Sequence, residues 1–267
     1  MSIAFVSTMN KKLYEEYGKR FINEFIDNAH EDIKLFIIFE GNCPNEIINL
    51  KKNLITIPLM NAEHNKFIKF FGNLFEAKGL KVRFFEENGQ KKINLNQDYK
   101  FNAVRFSFKP FSIHQVLQYL PDKLEYLIWT DADLRCKKDF NFNSLQNFLP
   151  NKDELMSYLG RRNQYSECGF LGFNLVHNEF ENFINRIIKI YTSGEIFSLQ
   201  EWHDSFIWDH VRSEYEDKEV KFKNISNKGF DHYHPFINSG LEEFFDHLKG
   251  PNRKKDGASP EKDYLNK

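Results

Sequence analysis

Apolar residues alternate along this chain between short unbroken runs and helically spaced sets. Residues 3–7 form an apolar run that stops at Thr-Met-Asn, which predicts a strand and a turn. Leu13, Tyr17, Phe21 and Phe25 then recur at every fourth position, marking one face of a helix over 11–28. Residues 33–39 and 54–57 repeat the strand pattern, and 67–75 read as helix. Residues 81–98 are polar, contain Asn-Gly and predict a surface excursion. Helical character resumes over 103–120, interrupted or restarted at Pro110. Residues 124–130 show little polar alternation, so this strand is expected at the centre of a sheet, covered on both faces. Strand and helix alternate up to residue 134, which argues for a parallel, doubly wound sheet. The second half is less regular. Strands are expected over 155–159, 170–173 and 220–225, and helices over 179–191 and 202–211. Residues after Gly250 are rich in Lys, Gly, Ser and Pro and read as a flexible tail over 251–267, either a lid or a disordered end. No internal repeat or linker divides the chain, so residues 1–250 read as one domain.

Composition narrows the class. Lys and Arg number 37 against 38 Asp and Glu, so the basic excess usual in a duplex nucleic-acid binder is missing. The 29 Phe imply an aromatic core, with some rings left to stack on sugar or base faces. Cys43, Cys136 and Cys168 are odd in number and form no CxxC, which argues against a disulfide framework or a zinc knuckle and fits a reducing cytoplasm. The first apolar run lacks a preceding basic region and reads as a strand, not a signal peptide. No stretch approaches the roughly 20 apolar residues of a membrane span, while peripheral membrane contact stays compatible with the composition.

The chemistry gathers around Leu127-Ile-Trp-Thr-Asp131-Ala-Asp133. In open α/β sheets the ligand crevice lies at the carboxyl ends of the strands. Two carboxylates there can hold a hard divalent cation that neutralises charge on a leaving phosphate. The blander reading is a pair of turn or helix-cap aspartates. A rival chemistry is that of haloacid-dehalogenase-type phosphatases, whose DxDx[TV] motif sits near the N-terminus. Here the motif begins at 131 and continues Leu134-Arg135, without a later Gly-Asp-x-x-x-Asp. Among the histidines, His247 is the leading third ligand, since two carboxylates with one imidazole suit manganese better than calcium. His232 and His234 are alternatives for that place, and the bland reading of His247 is a surface residue at a helix end. Lys249, Arg253 and Lys254 form the densest late run of cations, able to pair with a diphosphate or simply to be solvated. Asp204 and Glu167 are the candidates for a catalytic carboxylate.

In this order of motifs the chain resembles the GT-A glycosyltransferases, in particular the glycogenin and galactosyltransferase-type family 8 enzymes. The segment Arg105-Phe-Ser-Phe-Lys109 lies where that family keeps a donor-contacting basic residue, and Asp131-Ala-Asp133 resembles its DxD. Glu167-Cys-Gly-Phe-Leu-Gly-Phe-Asn174 is similar to its glycine-bearing strand beside the sugar pocket. Trp202-His-Asp204-Ser is similar to its later acidic motif, and His247-Leu-Lys249-Gly250 with Arg253 and Lys254 to its HxxGxxK element. The family's Lys-Pro-Trp ending is absent, and Trp-His-Asp-Ser differs from its usual acidic motif. The resemblance implies an α/β, Rossmann-like GT-A domain with a mixed, mainly parallel sheet flanked by helices. Residues 1–134 would form the nucleotide-binding half and 135–250 the acceptor half. It further implies Mn2+ or Mg2+ on Asp131, Asp133 and His247. A nucleotide-sugar donor, UDP foremost, would contact Ser7, Thr8, Arg105, Lys109, Asp131, Lys249 and Arg253. The acceptor would be a glycan or lipid-linked glycan, and the location cytoplasmic, peripheral to the inner membrane. The alternative is a GT-A-like module that binds a nucleotide or glycan without turnover.

Overall fold

The structure is a computed structural model that describes residues 2–48, 50–87 and 90–265. The Asn88-Gly89 turn signal and the last two residues of the expected tail lie outside the described residues. The strands are β1 (Ile3–Asn10), β2 (Lys34–Glu40), β3 (Leu54–Pro58), β4 (Leu80–Glu87), β5 (Gln90–Gln97), β6 (Tyr126–Thr130), β7 (Leu134–Cys136), β8 (Glu154–Arg161), β9 (Gln164–Asn174), β10 (Lys221–Asn224) and β11 (Phe245–His247). The main helices are α1 (Lys19–Asn28), α2 (Ala62–Phe71), α3 (Ala103–Val116), α4 (Phe180–Thr192), α5 (Asp204–Glu216) and α6 (Pro251–Asp256).

Seven strands form one sheet in the order β10-β8-β9-β6-β1-β2-β3. β1 pairs in parallel with β2 and β6, β2 with β3, and β10 with β8, whereas β9 runs antiparallel to both β6 and β8. The sheet is therefore mixed and mainly parallel, with a single reversed strand in its middle. β6 is central and buried along its whole length, as its unbroken apolar run requires.

Alternate residues of a strand face opposite sides, and this separates two cores. Ile3 and Phe5 join Phe21, Phe25, Ile128 and Phe245 on one face, whereas Ala4 and Val6 join Phe111, Trp129, Tyr191 and Trp208 on the other. Rings meet edge-on in both, as in Phe5–Phe25 at 5.0 Å and Phe67–Tyr191 at 5.4 Å. Three cysteines stand free, two of them buried. Among the described residues no helix is long and apolar enough to cross a membrane.

Local structure departs from the sequence expectations in four places. The helix expected over 67–75 is α2, which ends at Phe71 where Gly72 follows, and the tail expected to be flexible folds into α6, tied down by Arg253 to Asp263 and Lys254 to Asp133. The helix after β1 contains a π turn over Tyr14–Gly18. A strict spacing of four overshoots a 3.6-residue helix by about 40° per step. The wider i→i+5 turn absorbs part of that drift and keeps Tyr17, Phe21 and Phe25 buried. α3, in turn, runs through Pro110 without a break. Burial of Phe111, Ile113 and Val116 in one core outweighs the one backbone bond that proline forfeits.

His64 on α2 is 4% exposed, with its Nε2 2.9 Å from Ser107 Oγ. Burial lowers its pKa to about 4, as it does for His234. Both are neutral in the fold and take up a proton near pH 6.5 when unfolded. Between pH 6.5 and 4 the unfolded state binds more protons, so stability falls as the pH falls. For His64 the loss is on the order of 3 kcal/mol. A His64→Gln variant should show a flatter decline of the urea midpoint over this window, and an unchanged slope would count against the assignment.

Candidate functional site

A cleft of about 620 Å3 opens at the carboxyl ends of β1 and β6. Thr8, Glu40, Arg105, Asp131, Asp133 and Asp204 line it, with Tyr17 and Lys254 at its side. A hollow of about 460 Å3 beside Ser2 and Asn141 lies at the amino ends of the strands, the opposite edge of the sheet. A third, of about 560 Å3, lies beside Asn238 and holds no comparable set of carboxylates.

The end of β6 delivers Asp131 into the cleft, and its backbone N–H donates to Gly169 O at 3.2 Å. Trp129 Nε1 donates to Asp131 Oδ1 at 2.9 Å. β7 starts directly after Asp133 and pairs antiparallel with β11, with His247 opposite Leu134. Leu248 N–H donates to Asp133 O at 3.3 Å. This short ribbon brings His247, more than a hundred residues further along the chain, to the two aspartates. His247 Nε2 lies 3.3 Å from Asp133 Oδ1 and 3.8 Å from Asp131 Oδ2. One donor atom from each of the three residues lies within 4.8 Å of the others.

Gly169 makes this approach feasible. A Cβ there would lie 2.7 Å from His247 Cε1 and 2.8 Å from Nδ1. The imidazole rests on the backbone of β9, in the space that the sequence reading reserved for a sugar.

Lys109, 7% exposed, projects from α3 into the floor of the site. Its Nζ lies 3.0 Å from Asp131 Oδ1 and 2.6 Å from Asp204 Oδ2, and donates to Cys168 O at 2.8 Å. Burial opposes its charge, but Asp131 and Asp204 hold it protonated, above the usual lysine range. Asp204 opens α5, where a negative charge meets the positive end of the helix dipole. Burial raises the Asp204 carboxyl, and Lys109 more than reverses this, keeping it ionised.

The aspartates differ. Burial raises Asp131 against the pull of Lys109. Asp133 is lowered despite burial, because His247 and Lys254 face it. Lys254 Nζ lies 2.7 Å from Asp133 Oδ2. Asp133 Oδ1 is buried and accepts no hydrogen bond. Glu167, on β9 behind His247, is bonded to Lys249, and its Oε1 lies 3.7 Å from His247 Nδ1. Burial disfavours its charge, yet Lys249, His247 and Arg161 bring its pKa down to about 2.

Most residues singled out in the sequence converge here, with distinctions the sequence did not make. Thr8 lines the cleft, donating through Oγ1 to Ile38 O at 2.8 Å, while Ser7 is fully buried one residue before it. Arg105 is exposed at the rim. Asp204 lines the cleft and Glu167 does not. Arg253 points away from the aspartates, bonded to Asp263 at 2.6 Å and to Lys249 O and Tyr233 Oη at 2.9 Å. Lys254 takes the place at Asp133. His234 Nε2 donates to His247 O at 3.0 Å, so it braces β11 and neighbours Glu167 and His247, not the aspartate pair. His232 belongs to neither histidine–carboxylate group among the described residues. Glu40 and Tyr17 also line the cleft, although the sequence marked Tyr17 only as part of a helix face and gave neither residue a place in the site.

No protein-family model matches the chain, and no curated protein matches its sequence. Solved structures do. The bifunctional glycosyltransferase WbbM, in its apo form, is 12% identical with a TM-score of 0.54, over 94% of this chain and 46% of that one. This chain therefore spans about half the length of WbbM. Mouse xyloside xylosyltransferase 1 is 12% identical with a TM-score of 0.49, over 84% of this chain and 85% of that one. A glycosyltransferase involved in the glycosylation of the major capsid of PBCV-1 is 10% identical with a TM-score of 0.49, over 96% and 100%. At such identities the likeness is one of fold, and it agrees with the sheet described above: the chain has the GT-A-like glycosyltransferase fold.

Proposed function

We propose that this chain transfers a sugar from a nucleotide-diphosphate donor, with UDP as the favoured base-bearing half, to a glycan or lipid-linked glycan. The observation that carries the reading is the meeting of Asp131, Asp133 and His247 at the carboxyl end of the central strand, where the two aspartates line the cleft and the buried His247 stands beside them. The donor set fits a divalent cation. Asp133 Oδ1 is buried without a hydrogen-bond donor, and two carboxylates plus an imidazole suit Mn2+, with Mg2+ as the harder alternative. Such an ion supplies Lewis-acid neutralisation of a leaving diphosphate.

The remaining work falls to the protein's own groups. Arg105 and Lys254, with Lys12 also lining the wall, are cations able to balance a diphosphate. Lys109 bridges Asp131 and Asp204 and keeps the Asp204 carboxylate ionised at a fixed position. Asp204 then offers a preorganised negative charge to an oxocarbenium-like transition state. Its lowered pKa makes it a weak proton acceptor, so electrostatic stabilisation suits it better than general-base work. Glu167 supports His247 from behind and anchors Lys249, a positioning role for a carboxylate next to a ligating imidazole. The location consistent with this reading is cytoplasmic, peripheral to the inner membrane.

Thermal unfolding with UDP, GDP or CMP, each with and without Mn2+, tests the proposal. A ligand at a hundredfold excess over its Kd stabilises by about 2.7 kcal/mol. For a chain of this length that is a rise of roughly 5–10 °C. The expected result is such a rise with UDP and Mn2+ together and little with either alone. No rise with any nucleotide would sink the proposal. A rise without release of UDP from a UDP-sugar would favour the non-catalytic binding module.

A further inference from the structure

β4 and β5 form a two-stranded antiparallel sheet separate from the main one, and β5 is exposed along its whole length. Phe84 stands directly opposite Ile93, and Leu95 lies two residues further along, so the three share one face. They are 73%, 61% and 50% exposed, and Phe85 on the other face is 44% exposed. The patch continues at the root of the arm. Leu80 N–H donates to Phe75 O at 2.9 Å, and Phe70, Leu74 and Phe75 are 68%, 45% and 53% exposed. Seven large apolar side chains thus stand in water within one short stretch. An isolated two-stranded hairpin gains little stability in water, and exposed apolar surface on this scale marks a contact.

We propose that this arm, with the end of α2 beside it, docks on an anionic membrane surface. Charge selects the occupant. Residues 63 to 98 carry seven Lys and Arg against five Asp and Glu, a formal +2 in a chain whose total is −1. Lys69 and Lys91 are exposed among the aromatic residues, as are Lys66 and Lys81, which pair with Glu63 and Asp98 at 2.6 and 2.9 Å. Basic residues interleaved with Phe, Ile and Leu fit an acidic lipid headgroup layer above its acyl boundary. A second copy is the poorer occupant, because a two-fold contact would set this positive patch against itself. The outer edges of a two-stranded arm carry unpaired backbone groups, so the contact is shallow, at headgroup depth where water still reaches them.

The root of the arm adjoins the cleft. Lys81 Nζ lies 4.7 Å over the Phe101 ring, Phe101 meets Trp202 edge-on at 5.1 Å, and Tyr99 lies 6.3 Å from His203. Asp204 follows immediately. A membrane held by the arm would lie on the Asp204 side of the site, where a lipid-linked acceptor would arrive. That last step rests on the transfer reaction proposed above, whereas the membrane contact stands without it.

The experiment is co-sedimentation of the full chain with vesicles of phosphatidylcholine alone or with about one third phosphatidylglycerol. Two variants are compared with the parent, Phe84→Ser with Ile93→Ser and Lys69→Glu with Lys91→Glu. We expect binding to the anionic vesicles only, weakened by salt and reduced at least about tenfold in each variant. Melting temperatures should stay unchanged, since all four side chains are exposed. The rise in melting temperature with UDP and Mn2+ is read in the same proteins, so the nucleotide site and the membrane face can fail independently. Absence of vesicle binding by the parent would overturn the proposal, as would variants that sediment like the parent. A dimer seen by light scattering that the Phe84→Ser, Ile93→Ser variant dissolves would assign the face to a second copy and overturn it equally.

Discussion

Asp133→Ala removes Mn2+-dependent UDP binding and leaves the chain folded. Asp133 offers a buried oxygen that no hydrogen bond occupies, beside the imidazole of His247. Losing a carboxylate that touches the ion should cost more than the roughly 10–100-fold caused by losing an outer-shell partner. Removing one partner of a buried pair often destabilises by about 3–5 kcal/mol, because a charge is left stranded. Neither partner is stranded here. The Lys254 side chain is 30% exposed and can turn to water. Burial lowers the pKa of His247 and Asp133 more than reverses this, so loss of that carboxylate favours the neutral imidazole. The loss of stability should therefore stay near the typical ~1 kcal/mol of a point substitution. Calorimetric titration with UDP and Mn2+, alongside a urea unfolding curve, measures both. Parental affinity in the variant would remove Asp133 from the site.

Gly169→Ala has the second large effect, although Gly169 touches no ligand in the proposed site. The new methyl would lie 2.7 Å from His247 Cε1, closer than carbon atoms approach. His247 has little room to yield. Its strand is paired with β7, Phe236 packs at 5.2 Å and His234 at 5.7 Å. The ring must leave its line to the aspartates, and Mn2+ affinity should drop at least about tenfold, with about 1–3 kcal/mol lost to overpacking. Gly172→Ala on the same strand is the control. Its Cβ would meet Ser157 Oγ at 2.5 Å, away from the aspartates. That variant should be destabilised yet bind Mn2+ as before. Equal Mn2+ loss in both variants would mean that general damage to β9, not His247, sets the affinity.

How far the sequence could be read follows the range of the signal. β1, β2 and β6 announced themselves because burial on both faces demands an unbroken apolar run. Asp131 and Asp133 were legible because they follow such a run directly. The reversed direction of β9 was not, since its apolar pattern suits a parallel or an antiparallel neighbour alike. Nor could the choice between Arg253 and Lys254 be made. Adjacent residues of a helix point about 100° apart, and only the docking of α6 decides which one meets Asp133. The exposed hairpin read as a polar excursion because both faces of β5 are exposed along its length, so no alternation is imposed on it.

The wide sequence spacing of the site's contacts also says when the site comes into being. Lys109 and Cys168 are 59 residues apart, and Lys249 and Glu167 are 82 apart. Long chain loops must close before such contacts return any free energy, and loop entropy is lost before that gain arrives. The sheet can nucleate on β1, β2 and the helix between them, whose contacts are local. The ribbon of β7 and β11 joins only once the body exists. The aspartates then meet their histidine on the native side of the folding barrier. Contacts formed that late act on the rate of unfolding more than on the rate of folding. A bound ion bridging Asp131, Asp133 and His247 would accordingly act as a brake on unfolding, lengthening the lifetime of the native chain while leaving its speed of folding unchanged.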